Sequence, residues 1–202
     1  MILRIFEKYR STIKSRSFFY METKKLCRCV LQGLSEAELK AKIFEDNLFQ
    51  VQSGNRKKEI AHALFERLQV LDDFLMGKLA RGDVETGKMI VLYSIMKTDR
   101  LFYEFMRDVF SDKLSLLDPV LADRDFRRFF SQKRQQSETV GQWTDDTLKK
   151  LKQVYIRILF EAGLLKSKTG EREMVRPLIA LDVQKHWRLL GEQKFIAILT
   201  GD

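Results

Sequence analysis

The sequence predicts a mainly all-α fold, and three observations carry that prediction. Only 2 Pro and 10 Gly occur among 202 residues, too few for a turn-rich sandwich or barrel. Apolar residues recur at helical spacing along most of the chain. Capping residues stand between those stretches, each ahead of a new amphipathic run. The chain is 45% hydrophobic with 15 Phe, 5 Tyr and 2 Trp, so it can fill a core, and long disorder is not expected.

Residues 1–115 read as a helical module with a basic arm. The first 18 residues, rich in Arg, Lys, Ser and Thr, form an arm or a short helix. A helix from about Tyr20 to Leu31 stops at Gly33, a residue favoured just past a helix end. Ser35-Glu36-Ala37-Glu38 is a capping box: the serine oxygen accepts from a free amide and the glutamate returns to the cap amide. That helix carries Leu39, Ile43 and Phe44 on one face and frays near Asn47. The polar turn Gln52–Asn55 leads to a helix over Arg56–Val70, whose stripe is Ile60, Leu64, Leu68 and Leu71. Asp72/Asp73, Asp83 and Asp99 then cap segments near 73–80, 84–97 and 99–112. Ser115-Leu-Leu-Asp-Pro119 contains a helix-stopping proline and marks the module boundary.

Residues 116–202 read as a winged-helix-like module. Asp123–Gln136 is helical with Phe126, Phe129 and Phe130 on one face, and Ser137–Gln142 makes a short helix. Thr144 caps a long helix to Ala162, ended by Gly163. Two short apolar runs, Leu164-Leu165 and Met174–Ile179, flank a polar Gly-containing turn and predict a small β-hairpin. Pro177 confines its second strand to an edge. Helices over Asp182–Leu190 and Gln193–Leu199 close the chain.

Helix, short helix, tight turn, long helix, hairpin is the order of a winged helix-turn-helix. At 100° per residue, Leu148, Leu151, Tyr155, Ile158, Leu159 and Ala162 form an apolar stripe on the long helix. The opposite face holds Asp146, Lys149, Lys150, Gln153 and Arg157. A recognition helix needs this division, with long donors in front to reach phosphates and base edges. Gln153 suits an adenine edge; Lys149, Lys150 and Arg157 suit phosphate or guanine. Thr147 joins the candidate set in the first turn, and Lys166 and Lys168 join it from the wing. Arg127, Arg128 and Arg134 extend the positive face from the preceding helix. The competing reading is an ordinary solvated helix, and Asp145 and Asp146 would repel phosphate unless they serve only the helix start.

A weaker helix-turn-helix-like unit spans Ser35–Asp46 and Arg56–Val70. Asn55, Arg56, Lys57 and Lys58 stand at its entering end, but Glu59, His62 and Glu66 follow on the outer ridge, so backbone contact by the first turn is the most it offers. Lys14 and Arg16 come from the arm, where residues 1–28 hold eight basic and two acidic side chains. The net charge of +9 makes polyanions the first partner class.

Other chemistries find no support. Neither a GxxxxGK[ST] loop nor a GxGxxG fingerprint occurs. Two histidines, His62 and His186, offer no zinc-binding spacing. Cys27 and Cys29 at i,i+2 on a helix point apart and read as packing residues in a reducing compartment. Asp72/Asp73 and Asp145/Asp146 fit helix starts better than metal-dependent hydrolysis. Trp143 and Trp187 read as core anchors. The longest uncharged apolar run, Met89–Met96, is far too short to span a bilayer, and no signal pattern opens the chain. A cytoplasmic, non-catalytic protein is expected, without metal, cofactor, small-molecule substrate or membrane partner.

Five segments, taken in order, carry a family resemblance: Gly33-Leu-Ser35, Glu45-Asp-Asn-Leu-Phe-Gln50, Lys97-Thr-Asp-Arg-Leu-Phe102, Trp143-Thr-Asp-Asp-Thr-Leu-Lys149 and Glu161-Ala-Gly-Leu-Leu165. Together they resemble the BrxA family of bacteriophage exclusion (BREX) defence loci, from about Tyr9 to Leu181. The resemblance implies a mostly helical, non-catalytic component of phage defence that binds double-stranded DNA and works beside other BREX proteins. Such systems mark host DNA by methylation and block unmodified phage. It assigns no base-contacting residues.

Overall fold

Most helices begin where a side-chain cap stands. The computed structural model describes residues 8–202; the first seven residues of the predicted arm lie outside the described residues. The rest of the arm contains one 3-10 turn, Thr12–Ser15, which buries Ile13. Helix α1 (Tyr20–Leu31) follows Phe18 and Phe19, both buried, and Gly33 takes the left-handed backbone beyond its end with φ +79°. Helix α2 (Glu36–Phe44) carries the predicted capping box. Ser35 N–H donates to Glu38 Oε2 at 2.7 Å, and Glu38 N–H donates to Ser35 Oγ at 3.4 Å.

Ser53 caps α3 (Gly54–Leu68), Asp72 caps α4 (Asp73–Arg81), Asp83 caps α5 (Val84–Thr98) and Asp99 caps α6 (Arg100–Phe105). The three aspartates accept from the amides of Leu75, Thr86 and Phe102 at 2.8–3.0 Å. Helix α5 is the central rod. Every residue from Met89 to Lys97 on it is buried, and α1, α3, α4 and α6 pack around it.

The helix expected over 99–112 is more elaborate. After α6 the chain widens into a π-helical segment, Met106–Ser111, and re-enters as α7 (Asp112–Ser115). The wider turns keep one face buried at a strict i, i+4 spacing, through Phe102, Met106, Phe110 and Leu114, and that spacing reads as an ordinary helix in the sequence. Leu116 and Leu117 then stand exposed, the latter with φ 54°.

Helices α8 (Asp123–Gln136), α9 (Glu138–Gly141) and α10 (Asp145–Glu161) follow. The two expected strands are reduced to isolated antiparallel bridges, Leu165 with Met174 and Val120 with Glu173. Backbone bonds from Lys166 N to Glu173 O, Val175 N to Leu164 O and Leu121 N to Arg172 O set these three segments side by side. Helices α11 (Leu181–Leu189) and α12 (Gln193–Thr200) return to the central rod. There Trp187 stacks on Tyr93 at 4.9 Å between centroids, and Phe195 meets Tyr93 edge-on at 4.8 Å. Buried side chains from Ile13 to Leu199 form one continuous cluster.

The fold is thus mostly helical, with almost no strand among the described residues. Cys27 and Cys29 are free and buried, and burial pushes the Cys27 thiol up to about 12. Among the described residues, no helix is long and apolar enough to cross a membrane, and no cluster of His, Cys, Asp and Glu could hold a metal ion.

Candidate nucleic-acid interface

Helix α10 is built as an amphipathic rod. Thr144 Oγ1 accepts from the Thr147 amide at 3.2 Å, so Thr147 belongs to the cap as well as to the exposed first turn. Leu151, Tyr155, Ile158, Leu159 and Ala162 are buried as the stripe requires, and Leu148 is partly so. Val154 and Ile156 are buried too. The outward ridge is therefore narrower than the sequence suggests, and it carries Asp146, Lys149, Lys150, Gln153 and Arg157, all exposed.

The two acids at its start are engaged. Asp145 receives Arg134 Nη1 at 2.8 Å, while the same guanidinium donates to Trp143 O at 2.7 Å. Asp146 holds Lys150 at 2.7 Å, one turn along, and the lysine's hydrogen bond and charge keep its carboxyl below the usual range. Lys149, Gln153 and Arg157 have no hydrogen-bonding or salt-bridging partner among the described residues. Free donors beside matched ions leave the ridge positive.

Neighbouring segments lengthen it. The 3-10 turn of the arm packs on α10, and the charge of Lys14 reaches Asp146. At the other end Lys168 lies 5.1 Å over the Phe160 ring, on the ridge side of the helix. Lys166 is paired with Glu173 on the opposite arm of the turn. The arginines of α8 diverge. Arg127 lines the cleft shared with Lys149 and Arg134, whereas Arg128 lines a separate cleft beside Arg107 and Asp112.

The start of α3 sits differently. Arg56 donates to Ser15 O at 2.7 Å and pairs with Glu59 at 2.9 Å, which braces the arm. Lys57 donates to Phe44 O at 3.1 Å and closes the end of α2. Asn55 and Lys58 are exposed. Arg16 pairs with Glu66, which also holds Arg10 at 3.2 Å.

Sequence reasoning missed a buried charge network between the arm, α6, the π-helical segment and α8. Glu104 accepts from Tyr9 Oη at 2.9 Å, Arg100 Nε at 2.8 Å and Lys133 Nζ at 2.6 Å, and Lys133 also reaches Asp108 at 3.1 Å. Its signal was present in α8: Lys133 falls at i+7 from Phe126 and i+3 from Phe130, on the apolar stripe. Arg67, almost fully buried, likewise donates to Phe18 O at 2.9 Å and Ser17 O at 3.0 Å, fastening the arm to α3.

Comparison with known proteins gives concordant results. A family model described as BrxA matches residues 7–189. The chain is 52% identical to "BREX protein BrxA" of Bacillus cereus (strain H3081.97), across 96% of this chain and 97% of that one. It is 25% identical to a protein of the same name from Paramagnetospirillum magneticum (strain ATCC 700264 / AMB-1), across 94% of each. A crystal structure of an uncharacterized protein from Magnetospirillum magneticum superposes with a TM-score of 0.81 at 21% identity, across 96% of this chain and 99% of that one, which shows a common fold.

Proposed function

The chain belongs to the BrxA family, and from that premise we propose that it is a non-catalytic, double-stranded DNA-binding component of a BREX phage-defence system. On this reading residues 116–202 form a winged helix-turn-helix-like module and residues 1–115 its helical support. The α10 ridge faces the duplex, with Lys14 at one end and Lys168 at the other. Lys149, Arg157, Lys150 and the flanking lysines meet phosphates, and Gln153 is the candidate base reader. Sequence preference is weak, because one amide among several cations gives mostly backbone contact. On this reading the protein works in the cytoplasm.

The observation that carries this reading is the pairing pattern on α10. Its two first-turn acids are matched by Arg134 and Lys150, while Lys149, Gln153 and Arg157 are left facing outward. Replacing Lys149, Lys150 and Arg157 together by Ala is expected to weaken duplex binding at least tenfold without lowering the melting temperature. Parent-like binding by the triple variant would remove α10 from the interface.

A second reading is an assembly adaptor that docks a methyltransferase or ATPase of the same system without touching DNA. It is favoured by the internal use of Arg16, Arg56 and Lys57, which hold the fold together. Co-purification with companion proteins before and after nuclease treatment separates the two. Association that survives nuclease supports the adaptor.

A further inference from the structure

Beside the α10 ridge, and sharing Lys149 with it, lies a cleft of about 400 Å³ between α8 and α10. Its floor is apolar, made by half-buried Leu148 with Phe130 and Phe126, which are themselves buried, and its walls carry Arg127, Arg134, Lys149 and Lys152. One acid, Asp145, lines it, and Arg134 matches that charge. Lys152 is held from the side by Asp123, which Arg172 also engages. The cleft is thus greasy at the bottom and positive around the edge, within the size range of sites that enclose a ligand.

Duplex DNA does not fit this shape. Its phosphates would satisfy the cationic walls, but it presents little apolar surface to a recessed floor, and readout needs a protruding element rather than a hollow one. A protein segment has both features. Leucine or phenylalanine side chains would cover the floor, and flanking Asp or Glu would meet Arg127, Lys149 and Lys152 at the rim. We infer that the α8–α10 cleft docks a short acidic, apolar segment of a partner protein. Lys149 stands at the border of cleft and ridge, so peptide and duplex compete for one cation and weaken each other. The docking itself goes beyond the DNA-binding reading and does not depend on it; only the competition rests on that reading.

Ser131 gives the cleanest test, because it is exposed, lines the cleft and is not on α10. Ser131→Trp fills the hollow; Arg127→Glu reverses a wall charge. Both sit on the solvent side of α8, and thermal melting checks that each is folded. A randomised peptide display library is selected on the full chain, and the enriched peptides are titrated by fluorescence anisotropy against the parent and both variants. The expected result is enrichment of Leu or Phe flanked by Asp or Glu, with binding weakened at least tenfold by each variant. The affinity of S131W for duplex DNA stays within twofold of the parent's. No enriched class, peptides that bind S131W like the parent, or acidic peptides without apolar residues overturn the proposal. Loss of duplex affinity in S131W, with peptide binding unaltered, assigns the cleft to DNA instead.

Discussion

Glu104 Oε2 lies 2.6 Å from Lys133 Nζ, with the two side chains only 10% and 7% exposed. This pair joins α6 to α8, and Tyr9 and Arg100 complete the carboxylate's hydrogen bonds. An ion pair so enclosed contributes little net energy while whole, but its rupture leaves a charge buried without its partner. Lys133→Met is therefore expected to cost about 3–5 kcal/mol, read as a shift in the urea unfolding midpoint at unchanged slope. A loss below about 1 kcal/mol would mean that Arg100 and Tyr9 suffice to satisfy Glu104.

The same network sets an acid limb. Burial pushes the Glu104 carboxyl up, but hydrogen bonds from Lys133, Arg100 and Tyr9 outweigh it and hold the group below the usual range; Asp108 behaves likewise through Arg107 and Lys133. Groups with a depressed folded pKa stabilise the protein above the unfolded value, about 4 for these carboxyls. That stability is lost as pH falls through the folded values. Unfolding free energies measured from pH 7 down to pH 3 should fall most steeply below about pH 4 in the parent. In Lys133→Met the fall begins at higher pH.

Asp99 works with the opposite sign. Burial raises its carboxyl to about 6, against the lowering influence of the Phe102 amide and of Arg10, Arg16 and Arg67. A raised folded value means the native state holds its proton longer than the unfolded chain. The group's contribution is best at low pH and declines as pH rises through 6. Asp99→Asn keeps an oxygen for the Phe102 amide and removes the titration. Its stability relative to the parent should climb between pH 4 and pH 7; a flat or falling difference would contradict the burial argument.

Docking of the last two helices rests on Trp187, which is fully buried against Tyr93. Trp187→Ala opens a cavity at that joint and should cost about 3–5 kcal/mol. Calorimetry should show a lower melting temperature with a single transition retained. Two separate transitions would show that α11 and α12 come away as their own unit.

The caps made much of this fold readable. Ser35, Asp72, Asp83, Asp99 and Thr144 each stand one residue before an observed helix, because a short side-chain oxygen satisfies a free amide wherever the chain turns helical. The stripe on α10 was equally legible from spacing. What the sequence hid is long-range. Nothing local says that Glu104 meets Tyr9 and Lys133, that Arg56 braces Ser15, or that Asp145 is matched by Arg134. The π-helical widening and the reduction of the hairpin to two bridges depend equally on what packs against them. Of the candidate contact residues, spacing identified the outward ones on α10 but not which cations the fold already employs.

Salt dependence reports how many of those cations meet phosphate. If about six phosphates are neutralised, duplex affinity should fall roughly a thousandfold between 50 and 200 mM salt. Removing Lys149 and Arg157 together should lower the logarithmic slope by about two, with Gln153→Ala changing affinity but not the slope. An unaltered slope in the double variant would place the phosphate contacts elsewhere.

The most direct test of the central claim is fluorescence anisotropy of the parent chain with a labelled duplex about 30 base pairs long, beside the matching single strand, across several salt concentrations. Tight duplex binding with a steep salt slope and little binding of the single strand is the predicted result. Absence of duplex binding at low salt would contradict the claim and leave the basic ridge to a protein partner.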